Sequence, residues 1–184
     1  MLPLLLLLAG NPCLGPDVLH PVGNFEQWDG NDAEGWDRLS FGNGVLYSYD
    51  TSRGKTAAFQ TVYGTAELGS QPLTLPSVNW ALVAQVKGQL PQTVAISVKD
   101  LDSGRYLTAF GTWQDTPTDA LIQQDVQNTM QQIYLPFYTE GAGRTVRVTV
   151  HSRPFGICGA NGFCDCSPGL CPTGWVDEVR LCVR

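Results

Sequence analysis

The sequence predicts an all-β chain: a single antiparallel β-sandwich built from two packed sheets. Three observations predict it. Apolar and polar residues alternate with a period of two in several separate stretches. Twenty glycines and twelve prolines are spread along the 184 residues without period or cluster, as in a chain of many short strands joined by turns. No stretch carries a convincing helical period.

In chain order, Leu2 to Ala9 is almost wholly apolar and ends in the small pair Ala9-Gly10. Residues 1–10 therefore read as the end of a secretory signal peptide. The usual basic residues before the leucines are missing, which leaves room for a start further upstream. The run is far shorter than the ~20 residues of a membrane anchor, and Asn11 stands where a lipoprotein signal would need Cys. Residues 11–184 form the expected folded domain, of a size that buries a sizeable core. Strands are expected at Val45 to Tyr49 and Thr56 to Val62. From Trp80 the alternation is clear: Trp80, Leu82, Ala84 and Val86 on one face, Gln85 and Lys87 on the other. Val94, Ile96 and Val98 repeat it, as do Val146, Val148 and Val150. Asp102-Ser103-Gly104 suits a hairpin turn. The nearest approach to a helix is Thr118 to Gln132, which serves equally as a loop and an irregular strand. The count is about nine strands, enough for two sheets.

The formal net charge is −6 and no basic run exists, which argues against nucleic acid and against an anionic membrane surface. Six cysteines point to an oxidising, extracellular compartment. Four of them, Cys158, Cys164, Cys166 and Cys171, crowd a Gly/Asn/Pro-rich loop at 156–174. Cys13 and Cys182 remain, and would staple the two ends of the domain if the first and last strands are neighbours, worth ~4 kcal/mol in the entropic account. Six cysteines allow 15 pairings. Disulfides are the expected state, with zinc as the rival for the cluster; Cys164-x-Cys166 is short for zinc-ligand spacing.

Nothing points to catalysis. His20 and His151 read as surface or packing residues. No nucleophile elbow, phosphate loop or His-Glu-x-x-His is present. Asp100 and Asp102 flank a turn, Asp115 and Asp119 lie in a loop, and all four read as solvated, although distant residues can still converge in a fold.

Three stretches carry a family resemblance: Gly23-Asn24-Phe25-Glu26 followed by Gly35-Trp36; Ser52 to Phe59, containing Gly54-Lys55; and Trp175-Val176-Asp177-Glu178-Val179-Arg180-Leu181. Their order resembles the galactose-binding-like jelly roll, in particular the carbohydrate-binding modules of xylanases and cellulases. The resemblance spans about Gly23 to Leu181 and departs from the family in the Cys-rich insertion and in Glu178, where a second Asp is usual. It implies a structural Ca²⁺ held by Glu26 and Asp177, with Asp50 or Ser52 and backbone carbonyls completing the 6–8 oxygens the ion takes. The pattern adds its own hint: Asp177 alternates with Val179, Leu181 and Val183, and a core-facing carboxylate needs a cation or a pair. Pairing with an Arg or capping of loop amides is the alternative.

A sugar site needs aromatic faces and a few polar groups. Trp36, Trp175 and Trp80 are expected in the core. Trp28 and Tyr106 are further candidates, and Trp113, Tyr47 and Tyr49 are the residues singled out for the ligand. The expected function is a secreted, monomeric, non-catalytic carbohydrate-binding module. The alternatives are a structural or adhesion domain of an extracellular surface and, more weakly, an enzyme that would need a cleft with paired carboxylates or His151 with an acidic partner.

Overall fold

The computed structural model describes residues 12–41, 45–51, 54–60, 65–88, 92–123, 129–139, 141, 143–154 and 173–184. The leader, Ser52 and the cysteines at 158, 164, 166 and 171 lie outside these residues, as do the side chains of Tyr47 and Asp50. The described strands are β1 (Trp28–Asp29), β2 (Asp32–Ala33), β3 (Trp36–Phe41), β4 (Val45–Thr51), β5 (Gly54–Gln60), β6 (Ala66–Ser70), β7 (Leu73–Leu75) and β8 (Asn79–Gly88). They continue with β9 (Gln92–Asp100), β10 (Tyr106–Leu107), β11 (Trp113–Gln114), β12 (Leu121–Gln123), β13 (Gln131–Tyr138), β14 (Arg144–Pro154) and β15 (Thr173–Val183). One 3-10 turn, Val22–Asn24, is the sole helical piece among them. No described helix is long and apolar enough to cross a membrane.

Besides the β1-β2 hairpin there are two sheets, antiparallel throughout. An eight-stranded sheet runs β11-β10-β9-β14-β6-β3, with β12 on β9 and β7 on β14; a five-stranded sheet runs β13-β8-β15-β5-β4. The alternating stretches supply the facing layers. Trp80, Leu82, Ala84 and Val86 of β8 are buried against Val94, Ile96 and Val98 of β9 and Val146, Val148 and Val150 of β14 in one core. Truncating such a side chain to alanine typically costs about 2–5 kcal/mol.

The two ends of the chain meet on β15. Val18 N–H donates to Leu181 O at 2.9 Å, and Leu14 and Gly15 N–H to Val183 O at 3.0 and 2.9 Å. Cys13 and Cys182 form a disulfide with their Cα atoms 5.5 Å apart. On this side β15 thus changes partner: β5 pairs with it up to Val176, and the amino-terminal segment takes over at Leu181. Between the two, β15 bulges, for Asp177 faces Gln85 and Arg180 faces Val83, three residues against two. The 3-10 turn fills the gap so closely that a Cβ on Gly23 would lie 2.0 Å from Val179 O, so only glycine fits there.

The bulge corrects the expected parity of the closing strand. Val176, Val179 and Leu181 enter the core, while Asp177 shares the opposite face with Trp175. The extra residue, Glu178, takes φ of 47° and shifts the alternation by one.

Candidate functional site

The outer face of the five-stranded sheet gathers aromatic and charged side chains from β4, β8, β13 and β15. Trp175 of β15 stands between Ala58 of β5 and Lys87 of β8. It is only 8% exposed, because Lys87 Nζ lies 4.6 Å over its ring and Tyr49 of β4 meets it edge-on at 6.2 Å. Tyr49 itself is 47% exposed. Beside them Gln85 Nε2 and Arg180 Nη2 both donate to Glu178 Oε2, the second at 2.9 Å. Among the described residues no protein donor reaches Glu178 Oε1. Beyond Val83, Arg180's partner on β8, comes Tyr134 of β13, with the Arg184 guanidinium 5.8 Å from its ring centre. The face thus sets a charged hydrogen-bonding centre between an aromatic pair on one side and a tyrosine on the other.

Of the residues singled out for a ligand, Tyr49 lies on this face. The backbone of Tyr47 pairs with Ala58 in the β4–β5 ladder. Trp113 lies elsewhere, at the sandwich edge: it packs edge-on against Phe137 at 6.2 Å, with the Arg144 guanidinium 4.8 Å over its face. Trp36 and Trp80 are core residues, 5% and 1% exposed. Trp28 packs partly buried, its indole donating to Phe25 O at 2.6 Å, and Tyr106 lies under Lys99. Trp175, expected in the core, is buried instead beneath Tyr49 and Lys87 on the open side. Gln85, Glu178, Arg180 and Tyr134 were not singled out from sequence. The signal was present, since apolar residues at 176, 179 and 181 break the period of two where the bulge falls.

The metal candidates divide. Both oxygens of the Glu26 carboxylate are 3.2 Å from Lys55 N–H, and Lys55 is the ladder partner of Asp50. Asp177 is buried and accepts from Glu178 N–H at 2.8 Å. It follows Val176, where the β5–β15 ladder stops opposite Ala57. The next β5 residue, Thr56, is fully buried, and its hydroxyl has no hydrogen-bond partner among the described residues. Among those residues no three His, Cys, Asp or Glu side chains converge. Glu26 also lines an open depression of about 450 Å³ with Trp28, Asp29, Asp32, Glu34 and Lys55.

Two of the turn carboxylates are not solvated. Asp100 is 1% exposed because it organises its turn: Ser103 Oγ donates to it at 2.6 Å, Asp102 N–H at 3.0 Å, and Arg144 pairs with it. Burial pushes its carboxyl up, but the bonds from Ser103, Arg144 and the Asp102 and Ser103 amides together hold it below its ordinary 3.8. Asp119 lies 2.6 Å from His151 Nε2, both side chains 12% exposed. That pair sits between the ladder partners Ala95 and Glu67 on the eight-stranded sheet, apart from the face described above.

No family model matches the chain, and no curated protein matches it. Solved structures do. A carbohydrate-binding module, TmCBM61 in complex with β-1,4-galactotriose, is similar at TM-score 0.59 and 12% identity over 92% of this chain and 99% of its own. The CBM22-1 xylan-binding domain of Paenibacillus barcinonensis Xyn10C follows at TM-score 0.51 and 11% identity, over 92% and 95%. The enzymatically active domain of bacteriophage CBA120 tailspike protein 4 matches at 0.55 and 9%, over 88% of this chain and 22% of that one. At such identities the likeness establishes the fold alone: an antiparallel β-sandwich like that of these carbohydrate-binding modules.

Proposed function

We propose that this chain is a non-catalytic carbohydrate-binding module of a secreted protein, which takes a polysaccharide on the open face of its five-stranded sheet. The observation that carries the reading is Glu178, fixed by Gln85 and Arg180 between Tyr49–Trp175 and Tyr134. A sugar ring offers apolar C–H faces and a rim of hydroxyls. Tyrosine rings stack on the former. A carboxylate has about four lone-pair sites, and those on Oε1 are left to accept hydroxyl protons. Hydrogen bonds to a charged acceptor are the stronger kind, and Gln85 and Arg180 fix this one beforehand, so little order is lost on binding. The named ligands of two fold relatives, a galactotriose and xylan, agree with such a role. The Cys13–Cys182 disulfide agrees with an oxidising compartment.

A structural Ca²⁺ is part of the proposal. The ion would supply charge compensation where Glu26, Asp177 and the unpartnered Thr56 hydroxyl approach the end of the β5–β15 ladder, with Asp50 and Ser52 as further ligands. Such a set of hard oxygens suits calcium.

Retention on a panel of soluble and insoluble polysaccharides tests the function. One glycan should retain the wild-type chain, and Tyr49→Ala and Tyr134→Ala should weaken that retention without changing the melting temperature. A folded chain that no glycan retains would favour the structural or adhesion role instead.

A further inference from the structure

The β10–β11 connection, Thr108 to Thr112, presents an aromatic ring on a rigid mount. Thr108 N–H donates to Thr112 O at 2.7 Å and Gly111 N–H to Thr108 O at 3.0 Å. The Thr108 and Thr112 hydroxyls share a 2.8 Å bond, and Phe110 and Thr112 N–H both donate to Thr108 Oγ1, at 3.2 and 3.3 Å. Gly111, at φ of 77°, lets the loop rest on β13, since a Cβ there would lie 2.7 Å from Pro136 O. At the apex Phe110 is 85% exposed. A ring on a slack loop would fold down to shed water. Here the turn's own hydrogen bonds hold it out, and nothing described covers it.

Position gives the ring a use. Tyr49 on β4 and Tyr134 on β13 stand at opposite margins of the five-stranded sheet, four strand spacings or about 19 Å apart. A ligand that touches both lies across the strands. From Tyr134 the outward face of β13 continues along the strand through Pro136 and Tyr138, the latter 48% exposed, and leads to the loop that Gly111 seats on that strand. We propose that Phe110 is a rim subsite that stacks on a ring of a linear, uncharged polysaccharide where the chain leaves the open face over β13, so that the module selects long chains over short ones. This rests on the glycan-binding reading above. Among the described residues no carboxylate or cation is hydrogen-bonded at the apex, so the subsite recognises an apolar sugar face and not a charged substituent.

The test is calorimetric titration of the whole chain with xylo-oligosaccharides and β-1,4-galacto-oligosaccharides of three and six rings. Phe110→Ala should weaken the six-ring ligand by roughly three- to tenfold and leave the three-ring ligand and the melting temperature unchanged. Phe110→Trp should restore or strengthen the six-ring binding. An unchanged six-ring affinity, or an equal fall for both lengths, overturns the subsite. If Tyr134→Ala weakens both lengths while Phe110→Ala weakens neither, the open-face reading stands and this inference alone fails. A folded wild-type chain that binds neither series overturns the subsite together with that reading.

Discussion

Gln85 is the ladder partner of Asp177, yet its side-chain amide donates to Glu178, the next residue. In a regular strand two consecutive residues point to opposite faces; the bulge puts both on the same one. It does so with a non-glycine residue at positive φ, a conformation worth about 1–3 kcal/mol of strain and commonest at functional sites. Glycine at 178 would relieve the strain and remove the carboxylate together. Glu178→Gly is therefore expected to melt no lower than wild type while its glycan affinity falls roughly 10- to 100-fold, the worth of a hydrogen bond to a charged acceptor. Glu178→Gln should fall between. Binding by Glu178→Gly at wild-type strength would remove the carboxylate from the site.

The Cys13–Cys182 bridge closes a loop with a sequence separation of 169 residues, long enough for a large effect on the unfolded chain. It also anchors the segment that replaces β5 beside the carboxyl-terminal half of β15. Cys13→Ala should lower stability by about 2–5 kcal/mol, which for a chain of this size is on the order of 10 °C in Tm. Thermal melts of the variant and the wild type check this. A change under a degree would mean that the backbone bonds from Leu14, Gly15 and Val18 hold the end alone.

Long strands with one buried face are legible in the sequence. β8, β9 and β14 each show three or four apolar residues at strict alternation, and each lies where that alternation puts it. The turn at Asp102-Ser103-Gly104 and the Cys13–Cys182 pairing were legible for similar reasons, one local and one a matter of neighbouring ends. The two-residue strands β1, β2, β10 and β11 are too short to show any period. The candidate site was hidden by its bulge: strict alternation back from Leu181 and Val179 puts Asp177 inward and gives Glu178 no special place. Tyr134 was obscured because β13 follows a segment that sequence left between loop, strand and helix. Asp100 was misjudged because its burial depends on Arg144, forty-four residues away, which no local pattern shows.

Asp100 also sets a pH dependence. Its carboxyl is held below its ordinary 3.8 in the folded chain. A depressed acid stabilises the fold at any pH above its unfolded value, and that contribution is lost as pH falls below about 3.8 and through the folded value. Asp100→Asn should remove this part of the acid transition. It also leaves Arg144 half-buried without its partner, at a cost of about 3 kcal/mol at neutral pH. Chemical denaturation at pH 7 and pH 3 checks both: the gap between variant and wild type should be wide at the first and narrow at the second. Equal gaps would mean that other carboxylates carry the acid sensitivity.

The calcium proposal turns on a buried hydroxyl. Thr56 Oγ1 is sealed from solvent without a partner among the described residues, a condition that costs about 1–3 kcal/mol when nothing answers it. Nearby, Glu26 leans onto the Lys55 amide and Asp177 closes the ladder opposite. A cation there would answer the hydroxyl and add to the bonds that Glu26 and Asp177 already accept. If it binds, Ca²⁺ at a hundredfold over its Kd should stabilise the chain by about 2.7 kcal/mol, several degrees in Tm, and EDTA should reverse the gain. Glu26→Gln should abolish the response while glycan retention persists below the melting temperature, because Gln85 and Arg180, not the ion, fix the Glu178 carboxylate, although Asp177 accepts from the Glu178 amide. Identical melts in Ca²⁺ and EDTA would leave Thr56 simply unsatisfied, and Thr56→Val would then raise the stability of the wild type.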